Sequence, residues 1–298
     1  MKKRILLLLG TVIVLSAQVA MGQVAKVTLS HYGQLTMYNA EELQSAINAS
    51  VAGDTIFLNE GSFSGGITIP KAISLIGAGE NTIINGNVNI TASGTFTARM
   101  LDALNIQGSI SGGSSTGLVI RKCKFYGFSC GSLVDAVIDR CYCYGSNSYI
   151  NLNFNIKNMQ VVNSVVRQLR YYASNVGDVT FVNCNILSFN TSDNVKATFL
   201  NCIVRNYYTQ RDSYFSYCKL YQDNGTNTMQ NCQTGSFSWS DTYNYSTSML
   251  GTDGTVIGIK GGTTPFTLVP NNPKVINYNL NVDAANKKLT VNVSVTAN

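Results

Sequence analysis

One copied stretch constrains this chain more than any other feature. "TFVNCNILSF" occupies residues 180–189, and "TFLNCIVRNY" occupies 198–207, 18 residues later. With the Cys as position zero, the repeat extends both ways through Cys123, Cys141, Ser164, Cys184, Cys202, Cys218 and Cys232. The intervals are 18, 23, 20, 18, 16 and 14 residues. Three residues before zero stand Ile120, Ile138, Val161, Phe181, Phe199, Phe215 and Met229, all apolar. Two residues after zero stand Phe125, Cys143, Val166, Ile186, Val204, Leu220 and Thr234. Immediately before zero stand Lys122, Arg140, Asn163, Asn183, Asn201, Tyr217 and Asn231.

This pattern has a mechanical meaning. Positions zero and +2 share a parity, as side chains on one strand face must. Position −3 breaks that parity. Both sets point inward only if the chain bends between them, and Asn tolerates the left-handed backbone that such a bend requires. Two short strands meeting at a corner, repeated about every 18 residues, describe coils stacked in parallel, each strand paired with its copy about 4.8 Å away. Units that cannot bury their apolar faces alone form a solenoid. Cys then serves as a small, soft filler, and Cys202→Ser is expected to destabilise through a buried hydroxyl.

Other readings of the cysteines are weaker. Cys141 and Cys143 could present two thiolates on one face, but no second pair has ligand spacing and the only His is His31, so no metal or other cofactor is expected. A bridge within the Cys184, Cys202, Cys218 stack is allowed by distance, although in-register strands point their side chains the same way, which strains it.

The flanks agree with a solenoid. Residues 53–90 alternate short β-branched runs with Gly and Asn turns. Ahead of them, "YNAEELQSAINAS" reads as one helix, with Asn39 as N-cap, Glu42 three residues on, and Tyr38 and Leu43 as a hydrophobic staple. It is placed to cover the open end of the stack. At the far end, "NYNLNV" and "KLTVNVSV" alternate about "DAANKK", which predicts a β-hairpin outside the repeat.

These residues resemble a known group. "AGDTIFLNEGSFSGGITIPKAISLIGAG" resembles the N-terminal coils of right-handed parallel β-helix proteins, the pectin-lyase-like superfamily, and the F-x-N-C-x-I coils resemble its asparagine-ladder coils. The resemblance covers about residues 39–240 and implies an all-β, right-handed parallel β-helix with an N-terminal capping helix and a C-terminal β-hairpin segment. It says little about activity, because this fold hosts many functions. The stretch "DGTVIGIKGGTTPFTLVPNNPKV" resembles tails of exported bacterial β-helix proteins.

The N-terminus reads as a secretory signal peptide. Lys2, Lys3 and Arg4 precede the apolar residues 5–15, and Ala20-Met21-Gly22 offers a cleavage site. No later stretch suits a transmembrane helix. The expected organisation is therefore 1–22 signal peptide, 23–240 β-helix with its cap, and 241–298 C-terminal cap or attachment segment, in a secreted, cell-surface or outer-membrane-associated protein. Charge is concentrated in the middle: residues 121–219 carry 11 basic and 5 acidic side chains, against 3 and 6 in residues 23–120. That balance suits an acidic partner but is too weak for nucleic acid, which is not expected.

Two files of side chains could carry function. Three residues after zero, with outward parity, stand Tyr126, Tyr144, Arg167, Leu187, Arg205, Tyr221 and Gly235. Tyr stacks on sugar rings and Arg binds carboxylates in bidentate fashion, so Tyr126, Tyr144, Arg167, Arg205 and Tyr221 are the candidate glycan-binding residues. Alternatively, they stabilise the sheet by cross-strand stacking alone. Six residues before zero stand Gly117, Asp135, Asn158, Asp178, Lys196, Asp212 and Thr226. Asp178 and Asp212, two coils apart with Lys196 between, are the candidate catalytic set if the protein is a lyase or glycoside hydrolase. Asp and Asn there also suit a turn before each strand, and the dense acidic motifs of that superfamily's enzymes are absent. The expectation is a non-catalytic exported cell-surface protein that is glycan-binding, toward acidic glycans among others, or adhesin-like. An enzyme on acidic polysaccharide and a purely structural spacer are the alternatives.

Overall fold

The computed structural model describes residues 24–91, 95–145, 149–152, 156–171, 178–191, 197–206, 211–221, 226–237, 249–269, 274–283 and 288–296. The expected signal peptide lies outside the described residues.

The chain is a parallel β-solenoid whose two main sheets comprise 14 and 13 strands among the described residues. Where the apolar positions −5 and −3 recur, strands of the first sheet form, among them Met159–Val162, Val179–Val182 and Ala197–Leu200. Where +2 recurs, strands of the second sheet form, among them Val165–Tyr171, Asn185–Thr191 and Ile203–Asn206. The register follows the repeat. Val161 pairs with Phe181, Phe181 with Phe199 and Phe199 with Phe215. In the other sheet, Cys143, Val166, Ile186, Val204 and Leu220 pair in succession. Like residues therefore stack: the rings of Phe181 and Phe199 lie 4.9 Å apart, and those of Phe199 and Phe215 lie 4.5 Å apart, all nearly parallel and fully buried.

Between the sheets the chain turns at the predicted corner. Lys122, Arg140, Asn163, Asn183, Asn201, Tyr217 and Asn231 all have φ between 46° and 53°. A second corner uses the same geometry six residues before zero, at Gly117, Asp135, Asn158 and Asp178.

Position zero does more than fill space. Each thiol donates weakly to backbone carbonyls: Cys202 Sγ to Leu200 O in its own coil and to Phe181 O in the coil before, at 3.3 and 3.5 Å. Three of them also accept the backbone N–H of position zero one coil back: Cys202 Sγ from Cys184, Cys218 Sγ from Cys202 and Cys232 Sγ from Cys218. The corner interrupts the ordinary ladder, and the thiols complete it, as buried backbone groups require. Ser164 makes the same contacts with its hydroxyl, donating to Val162 O at 2.8 Å and accepting from Cys141 N at 3.0 Å. On this coil the buried hydroxyl is therefore satisfied. All eight cysteines are free, and burial pushes the thiols of Cys123, Cys130 and Cys143 up to about 12.

The open end is covered in two ways. The predicted helix divides into a 3-10 turn, Ala40–Glu42, and an α-helix, Leu43–Ala49, with Asn39 N–H donating to the Glu42 carboxylate. Leu43, Ala46 and Ile47 enter the core. Gln44 closes the backbone edge of strand Ile67–Ile69: its amide donates to Thr68 O and accepts from Thr68 N–H. The first sheet instead begins with an antiparallel hairpin, Lys26–His31 and Gln34–Asn39, which the repeat did not foretell. The C-terminal hairpin forms where expected, between Lys274–Asp283 and Lys288–Thr296.

Candidate functional site

Pairing at +1 and +2 fixes the Tyr/Arg file. Phe125 pairs with Cys143, Cys143 with Val166, Ile186 with Val204, and Val204 with Leu220. Tyr126, Tyr144, Arg167, Arg205 and Tyr221 each follow one of these residues, so they share one outward file of the second sheet. Tyr126 and Tyr221 are the most open, at 37% and 41% exposure. The rings of Tyr126 and Tyr144 meet edge to face at 5.8 Å. Lys124 Nζ stands 5.5 Å over the Tyr144 ring, and Arg167 Nη1 donates to Tyr144 O at 3.3 Å. Burial raises the Tyr144 hydroxyl above its ordinary pKa, so it stays a neutral donor. The file thus combines aromatic edges and faces with cations.

The carboxylate file is arranged differently. Asp178 is exposed and sits in the second corner at φ 41°, its carbonyl accepting from Met159 N–H. One coil pair away in the same corner, Asn158 Nδ2 donates to Asp135 Oδ1 at 2.7 Å. These contacts are turn chemistry. Lys196 lies outside the described residues. Asp212 lies within strand Arg211–Ser216, and its side chain is outside the described residues. On the next coil, Thr226 pairs with Arg211 rather than Asp212, so the file slips there.

A second feature borders the Tyr/Arg file and was not foreseen. Residues 251–269 run back along the outside of the stack as a strap. Thr252 Oγ1 donates to Asn231 O, and Gly258 N–H to Asn201 O at 2.7 Å. Ile259 N–H donates to Asn185 Oδ1. Asn163 Nδ2 donates to Gly261 O, and Lys122 Nζ to Val269 O at 2.6 Å. Ile259 packs on Tyr142 and Val165, with Tyr144 and Phe266 beside them. Burial, then the nearby Arg140, lowers the Lys122 pKa. A Cβ on Gly258 would stand 2.3 Å from Asn185 Oδ1, and its φ is 71°, so this position needs glycine twice over.

The strap had one sequence signal. Position +1 has outward parity, yet Tyr142, Val165 and Ile203 occupy it. An apolar stripe on a solenoid's exterior calls for a cover.

Scans of protein-family models, of curated proteins and of solved structures each return no match to this chain. The solenoid and its two files therefore stand on their own geometry. No helix among the described residues is long and apolar enough to cross a membrane.

Proposed function

We propose that this is a non-catalytic exported surface protein, a right-handed β-helix of the pectin-lyase-like kind, whose Tyr/Arg file binds acidic polysaccharide. One observation carries the reading: Arg167 and Arg205 share an in-register outward file with Tyr126, Tyr144 and Tyr221. Two coils separate the arginines, about 9.6 Å at the usual strand spacing. A linear polymer suits such a file better than a compact ligand does. Arg would meet carboxylates or sulfates, and Tyr would pack on sugar faces.

The test is a panel of acidic and neutral polysaccharides, assayed for both binding and cleavage by the mature protein. Salt-sensitive binding to the acidic members, weakened with a flatter salt dependence in Arg167→Ala/Arg205→Ala, supports the proposal. Unchanged binding in that double variant removes this face as the site. Release of reducing ends or unsaturated sugars, abolished by Asp178→Asn, would replace the proposal with the enzyme reading.

A further inference from the structure

The first sheet ends in strand Gln34–Asn39, whose only sheet partner among the described residues is Lys26–His31. Residues 34–37 are exposed, and Leu35 and Met37 are among the most exposed large apolar residues, at 66% and 68%. Both face outward. Met37 lies opposite Thr28, Thr28 opposite Phe57, and Phe57 opposite Ile76, so a row of three apolar side chains and one Thr crosses four strands at the sheet's outer end. Phe57 is 43% exposed, and Tyr32, at the hairpin turn, is 91% exposed.

Sheet edges are ordinarily protected from pairing by Lys, Pro, a bulge or a cover. The stretch "QLTMYN" has no charged residue and no Pro, and its register to the neighbouring strand runs without a shift. The contrast with the second sheet is direct, because there Gln44 closes the edge at Thr68.

We infer that Gln34–Asn39 pairs antiparallel with the same strand of a second copy, joining two solenoids end to end. The strand is self-complementary about Thr36. A two-fold axis there places Leu35 opposite the partner's Met37 and Met37 opposite the partner's Leu35. Gln34 then faces Tyr38, and all four apolar side chains fall on one face. Such an isologous contact closes on itself and stops at a dimer. Backbone hydrogen bonds supply the join, and the apolar pairs fix its register.

Sedimentation and light scattering of the mature protein test this. The expected result is a dimer more elongated than a side-by-side pair, converted to monomer by Leu35→Lys/Met37→Lys with the circular dichroism and melting unchanged. Thr36→Cys reads the register directly. Directly paired strand residues have Cα atoms about 4.5–5.5 Å apart, within disulfide reach. Mild oxidation should cross-link Thr36→Cys into a covalent dimer and leave Phe57→Cys uncross-linked. A mature protein that stays monomeric at high concentration overturns the inference, whatever covers the edge. So does a dimer insensitive to the lysines, or one that Thr36→Cys does not trap.

Discussion

The side-chain amide of Asn163 donates to the carbonyl of Gly261, 98 residues further along the chain, at 2.9 Å. Asn163 holds a left-handed corner, at φ 46°, and is almost wholly buried. One residue type therefore serves two needs: its backbone turns the coil, and its side chain fastens the strap.

If the strap is fastened in this way, Gly258→Ala should release it. The new Cβ meets Asn185 Oδ1 and strains the left-handed backbone, a cost of about 1–2 kcal/mol from conformation alone. Limited proteolysis should then cut within residues 251–269 while the β-sheet signal in circular dichroism persists. Protease resistance equal to that of the unaltered protein would show that the strap contacts contribute little.

The thiol ladder predicts an inverted order of tolerance at position zero. Cys202→Ser should be nearly neutral, because the hydroxyl can accept from Cys184 N–H and donate to Leu200 O as Ser164 does on its own coil. Cys202→Ala leaves that buried N–H without an acceptor and should cost about 1–3 kcal/mol. Denaturant midpoints of the two variants check this, and a less stable Ser variant would contradict it.

Alkaline pH should weaken the fold. Burial lifts the Cys123, Cys130 and Cys143 thiols from an ordinary 9.0 to about 12. Between these values the folded chain keeps protons that the unfolded chain has released. Their contribution to stability is therefore complete below pH 9 and declines as pH rises toward 12. Denaturant midpoints should fall across that window, less steeply in Cys143→Ala. A flat profile up to pH 11 would argue against buried neutral thiols.

At the corners, backbone conformation should outweigh side-chain chemistry. Asn201 has φ 53°. Asn201→Gly should be tolerated, whereas Asn201→Val places a β-branched residue in a left-handed conformation and should cost about 1–3 kcal/mol. Thermal melts of the pair decide it: equal melting temperatures would mean that the corner relaxes without penalty.

The corners and the register were legible because they obey a period. The break in parity between Phe181 and Cys184 requires a bend, and the structure bends at Asn183. The strap was hard to read because its contacts have no period. It is held largely through backbone groups of Gly258, Ile259, Gly261 and Val269, which leave no side-chain pattern to find. Only Tyr142, Val165 and Ile203 hinted at a cover. The N-terminal hairpin turns at Tyr32-Gly33, both with positive φ, without the Asn-Gly that announces such turns. The role of Ser164 was also hidden, since spacing shows that Cys and Ser are interchangeable there but not which backbone groups they serve.

The strap also decides where tension would enter the molecule. A stack of coils that touch only their neighbours peels from its last coil when that coil is pulled. Here the chain leaves the last coil, runs back past Asn201, Asn185 and Asn163, and reaches Val269 beside Lys122. A pull on the chain beyond Val269 is met there first, and it loads the contacts at Lys122, Asn163, Asn185 and Asn201 before it reaches Cys232. The final coils are shielded from the force that would otherwise unravel them.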